Sequence, residues 1–146
     1  MRRLILFLCF AGCSPCKTTI QVTPDRTSGS LNTAASRVAA IVGNVARMHQ
    51  FTPADNSKHV ISDLPVEYQR DVARGAECKS TLRLIARQLP DKTGVFEVTV
   101  SEPRCPAAPG ESPEHAQLRR ELTRWFRAEF GDASVTVKED GLDNRP

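Results

Sequence analysis

Residues 81–89, TLRLIARQL, residues 90–94, PDKTG, and residues 95–102, VFEVTVSE, read as strand, turn and strand. Both outer runs alternate apolar and polar residues, the period of a strand with one buried face. Leu82, Leu84 and Ala86 share one face of the first run, and Phe96, Val98 and Val100 share one face of the second. Pro90 to Gly94 has turn chemistry between them. Pairing Leu82 with Val100, Leu84 with Val98 and Ala86 with Phe96 buries all six. Arg83, Arg87, Glu97 and Thr99 then point outward, with Ile85 an apolar exception on that outer face.

The hairpin predicts its own flanks. Cys78 precedes the first strand and Cys105 follows the second. In the register above Cys105 falls opposite Glu77, one residue from Cys78. A one-residue bulge, with Pro103 ending the ladder, brings the two cysteines together. The expectation is a Cys78–Cys105 disulfide contributing on the order of 3 kcal/mol; the alternative is two buried thiols.

Two helices are expected around the hairpin. Asn32 or Thr33 caps the first, which runs to about His49 with Val38, Ile41, Val42, Val45 and Met48 on one face. Gly43 within it suits close packing on a sheet. Ser112 caps the second, with Pro113 at its first position, Glu114 in the first turn and Gly131 as the stop after Phe130. Leu118, Leu122, Trp125, Phe126 and Phe130 form its apolar stripe. Residues 134–138 read as a last strand, with Val135 and Val137 on one side.

The order helix, hairpin, helix, strand predicts an α+β fold. It is a two-layer sandwich whose three-stranded mixed sheet has order 2-1-3, with both helices on one face. The third strand runs parallel to the second through a right-handed crossover. The other sheet face is open. Residues 51–72 are poorly patterned, with Val60-Ile61 expected as an edge strand and Glu67 to Arg74 as a short helix closed by Gly75.

The N-terminus carries the most specific signal. Arg2 and Arg3 precede an unbroken apolar run from Leu4 to Phe10, and Ala11, Gly12 and Cys13 follow. As a helix the run to Gly12 reaches about 14 Å, too short for a bilayer core of roughly 30 Å. Charged, apolar, then small residues is the order of an export signal. Phe10-Ala11-Gly12-Cys13 resembles the lipobox of bacterial lipoproteins, with Phe10 where that family usually has Leu. The resemblance covers about the first sixteen residues. It implies cleavage before Cys13 and acylation of Cys13, and with Ser14 in the next position it implies sorting to the outer membrane. Three acyl chains would hold the protein essentially without exchange. The domain plan is then a signal over 1–12, a lipidated cysteine and Thr-rich flexible tether over 13–30, one domain over 31–139, and a polar tail over 140–146. Cys16 is left unpaired in the tether. A redox or metal reading of Cys13-x-x-Cys16 has the spacing but lacks the preceding strand and following helix.

Removing twelve residues leaves 134, enough for one small core. The full-chain charge of +3 falls to +1 without Arg2 and Arg3. That balance, with aromatics at 5%, argues against a nucleic-acid partner. Neither a metal nor a cofactor motif is present in the sequence. The expected role is a non-enzymatic, lipid-anchored adapter or binding module facing the periplasm. The membrane is one partner and another envelope protein the second. Its candidate contact residues are Arg83 and Arg87 on the sheet face and Arg120, Arg124 and Arg127 on the second helix. An alternative is a hydrolase-like periplasmic enzyme with a site around Asp55, His59 and Asp63. His115, in the first turn of a helix, is expected at the surface. A third reading, a small-ligand carrier, needs a concave apolar cavity.

Overall fold

The alternation in residues 81–102 folds as a hairpin. A computed structural model describes residues 16–25, 29–54, 64–73, 78–103 and 110–140. In it β4 (Lys79–Gln88) and β5 (Phe96–Glu102) pair antiparallel. The expected register is displaced by two residues: Leu84 pairs with Val100 and Ala86 with Val98. The turn sets this shift, because the Leu89 N–H donates to the Val95 carbonyl at 2.9 Å. Gly94, at φ +80°, turns the chain into β5. A displacement of two leaves every side chain on its expected face. Leu82, Leu84, Ala86, Phe96, Val98 and Val100 are all fully buried.

The sheet around this hairpin is larger than the sequence predicts. The remaining elements are β1 (Cys16–Val22), α1 (Leu31–Met48), β2 (Thr52–Pro53), β3 (Val66–Ala73), α2 (Pro113–Phe130) and β6 (Val135–Asp140). Among the described residues six strands form one antiparallel sheet in the order β2-β3-β4-β5-β1-β6. The expected three-stranded mixed sheet of order 2-1-3 is therefore corrected. β6 does run parallel to β5, but β1 lies between them instead of β4.

Two corrections, together with the two-residue β2 at the edge, account for the difference. Residues 17–22, expected within a tether, form β1, an inner strand paired with both β5 and β6. Cys16, Thr18, Ile20 and Val22 are fully buried on one side, while Lys17 and Gln21 are half-buried on the other. The domain accordingly starts by Cys16 and not at residue 31. The second correction is β3, which replaces the short helix expected from Glu67 to Arg74. Val66 and Val72 are buried in the core and Tyr68 packs against it. Arg70 breaks the apolar alternation, and its Nη1 donates to the His49 carbonyl at 3.0 Å, where α1 ends.

Both helices cover the face that carries Ile20, Leu84, Ala86, Val98 and Val100. Ser30 caps α1, its hydroxyl accepting from the Thr33 N–H. Val38, Val42 and Val45 are buried, whereas Met48 stays exposed. A Cβ on Gly43 would come within 3.2 Å of the Tyr68 hydroxyl, so α1 does use this glycine to approach the sheet closely. α2 has the expected limits, with Ser112 as N-cap and Gly131, at φ +87°, as C-cap. Leu118, Leu122 and Phe126 are buried, but Trp125 is half-exposed beside α1 and not in the core. No helix among the described residues is long and apolar enough to cross a membrane.

If β1 belongs to the core, emptying it must cost stability. Ile20→Ala is expected to lower the unfolding free energy by about 2–5 kcal/mol, read from the midpoint of urea denaturation. A residue in a mobile tether would leave that midpoint unchanged.

Candidate functional site

Among the described residues, four of the six buried polar side chains gather where α2 meets the end of β5. Ser112 caps α2: its Oγ accepts the His115 backbone N–H at 3.1 Å. Pro113 follows at a position that needs no N–H donor. The Glu102 carboxylate closes the arrangement from β5. Its Oε1 accepts the Ser112 backbone N–H and its Oε2 accepts the Ser112 hydroxyl, each at 2.7 Å. His115 sits above, with Nε2 2.9 Å from the Thr18 hydroxyl of β1 and Nδ1 3.5 Å from Glu102 Oε1. Glu111 Oε1 lies 3.7 Å from the same Nε2 and receives Arg119 Nε at 3.1 Å. Thr18, Glu102, Ser112 and His115 are each at most 1% exposed.

Burial alone would raise the Glu102 pKa. The His115 imidazole and the N–H and hydroxyl of Ser112 outweigh it and hold the carboxyl below its ordinary value. The anion is also aligned with the positive end of α2.

Serine, histidine and a carboxylate together invite a catalytic reading, and the geometry argues against it. A nucleophilic serine gives its proton to an imidazole, whereas the Ser112 hydroxyl donates to Glu102. The imidazole instead meets Thr18. The cluster is sealed from solvent, so no substrate reaches it. It acts as a latch that holds the start of α2 to β5 and β1. His115 is thereby corrected from a surface residue to a buried one. The sequence signal for this was its spacing, since His115, Leu118 and Leu122 follow one helical face.

No protein-family model matches the chain, and no curated protein matches it. The remaining site residues must therefore be read from their own geometry.

The five arginines expected at a partner surface divide between two sides. Arg83 and Arg87 lie on the open sheet face, and each has a carboxylate on the neighbouring strand. Arg87 Nη2 is 2.7 Å from Glu97, its cross-strand partner, and Arg83 Nε is 3.6 Å from Glu67. The face is rich in Thr, Ser and Gln between these pairs, with Ile85 flanked by Glu67 and Thr99. Arg120, Arg124 and Arg127 lie on the far side of α2 from α1. There they line a groove of about 600 Å³ between α2 and β6. Arg127 comes within 4.0 Å of Asp132, whose side chain is 90% exposed, and the Arg124 guanidinium lies over Trp125 at 5.9 Å. Among the described residues no carboxylate stands within ion-pair distance of Arg120 or Arg124.

Other expected residues fall differently. Cys13, Cys105, Asp55, His59, Asp63 and the pair Val60-Ile61 lie outside the described residues. Cys78 is half-buried just ahead of β4 and disulfide-bonded; its pairing with Cys105 stays a proposal. Cys16 is a buried free thiol in β1, not a tether residue. His49 closes α1 and bonds Glu121 of α2 at 2.6 Å, tying the two helices together. Among the described residues no three His, Cys, Asp or Glu side chains converge as a metal site requires.

The latch makes acid stability depend on Glu102. Its native pKa lies below the unfolded value, so the carboxylate stabilises the fold above the ordinary carboxyl range. That contribution is lost as pH falls through the lowered native value. Glu102→Ala, which strands the buried Ser112 donors, is expected to cost about 2–4 kcal/mol at neutral pH. Glu102→Gln is expected to flatten the fall in stability on acidification. Thermal unfolding between pH 7 and pH 3 measures both.

Proposed function

We propose that the chain is a lipid-anchored, non-enzymatic binding module of a bacterial envelope. It is held at the periplasmic side of the outer membrane through Cys13 and engages another envelope component. One observation carries the reading: the run from Leu4 to Gly12 that ends on Cys13 behind two arginines.

The position of β1 constrains how such an anchor would hold the domain. β1 begins at Cys16, so Ser14 and Pro15 alone separate its first residue from Cys13. Three residue steps reach about 10 Å at most. An acylated Cys13 would hold the sheet end bearing Cys16 against the lipid headgroups, with no long tether between. The opposite sheet end and the exposed side of α2 would be left free for a partner. The sealed Glu102–Ser112–His115 cluster favours a binding role over catalysis.

Cys13→Ala is expected to move the protein from the membrane fraction to the soluble fraction, and the parent's mature N-terminal peptide is expected to carry acyl mass on Cys13. Equal membrane partition of parent and variant, with an unmodified Met1 terminus, would overturn the anchor.

A further inference from the structure

We propose that the groove between α2 and β6 receives an acidic, extended peptide segment of another protein, which adds as a strand to the open edge of β6. The inference goes beyond the anchor and holds whether or not Cys13 is acylated.

The first observation is the edge itself. Among the described residues β6 ends the sheet and pairs only with β1. In an antiparallel strand alternate residues direct both N–H and C=O away from the neighbour, so β6 offers an unpaired row of donors and acceptors. The opposite edge is not equivalent. β2 is two residues long and ends at Pro53, which has no N–H to give.

The second observation is charge. Arg120, Arg124 and Arg127 overhang this edge and are exposed. Two carboxylates share the groove, Asp132 and Glu139. Glu139 is taken by Arg119 at 2.8 Å, and Asp132 stands at the outer limit of contact with Arg127. Among the described residues Arg120 and Arg124 have no carboxylate partner at the groove mouth. Glu139 and Asp140 guard the last turn of the edge, while Val135 to Lys138, beside the uncompensated arginines, carry no acid.

Spacing then selects the ligand. On an added strand the side chains facing the helix recur every 6.6 Å or so. Arg120 and Arg124 are one helical turn apart, about 6 Å along the axis, and Arg127 follows about 4.5 Å further. Carboxylates at alternate positions therefore meet successive arginines, while the intervening side chains lie beside Thr136 and Lys138 on the open face. A second copy of the chain is a poorer occupant. Pairing β6 with itself would set two stripes of arginine against each other.

The test uses the full-length chain in detergent micelles and fluorescence anisotropy of labelled octapeptides. A peptide of alternating Thr and Glu is expected to bind saturably. Its isomer with all Thr before all Glu, and an alternating peptide N-methylated on every second amide, are both expected to bind about tenfold more weakly. Arg120→Gln/Arg124→Gln, on an exposed helix face, is expected to leave the circular dichroism unchanged and to weaken the alternating peptide by about tenfold. Equal binding of the two isomers, or indifference to N-methylation, would mean attraction by charge alone and would overturn the proposal. So would a peptide-free dimer in which the β6 amides are protected from hydrogen exchange.

Discussion

The double pairing of β1 is the constraint on which the rest of the structure depends. Its backbone is hydrogen-bonded on one side to β5 and on the other to β6. Without it the sheet divides, because β6 has no other neighbour among the described residues and β5 would expose a row of unpaired amides. The helices depend on it as well. Ile20 and Val22 belong to the core beneath them. The Thr18 hydroxyl joins Glu102 of β5 in contacting His115, which seats the beginning of α2.

The elements legible in the sequence are those whose local chemistry and tertiary role agree. Ser112, Pro113 and Gly131 mark the ends of α2 because caps are local devices that tertiary packing rarely overrides. The hairpin was legible because alternation and turn chemistry coincide, and its register moved only where the turn closed at Leu89 and Val95. β1 was hidden by composition. Thr18, Ile20 and Val22 do alternate, but a run rich in threonine behind a candidate export signal also reads as spacer. Thr18 and Thr19 are buried even though they are polar. β3 was hidden by Arg70, a charged residue on the core side that serves to cap the end of α1. In the site, the single-residue signals for Ser112 and Gly131 were clear. The union of Glu102, Thr18 and His115 was not, because it joins three elements far apart in the chain.

Charge is distributed unequally over the two accessible sides. On the open sheet face Arg83 and Arg87 stand opposite Glu67 and Glu97 on neighbouring strands, and Lys138 lies near Asp140, so charges of both signs are paired among hydroxyl and amide groups. Beside β6 the cancellation among the described residues is incomplete, and the excess lies next to the edge that β6 forms. Exposed pairs like those on the open face contribute little to stability. Their arrangement nonetheless discourages pairing with another basic or acidic surface, so recognition on that side must rest on shape and hydrogen bonding.

The pairing of β1 with β6, far along the chain, bears on biogenesis. Lys17 pairs with Asp140 and Val22 with Val135, so β1 cannot finish its ladder until a further hundred residues and more have been synthesised. Contacts of such sequence separation make folding slow and leave the nascent chain open for longer. Under the proposed export, with the chain threaded unfolded through a translocation channel, the order of assembly itself would discourage premature collapse. A chain cut short before β6 would emerge with an inner strand bare along one edge, an invitation to aggregation and a mark for proteolysis.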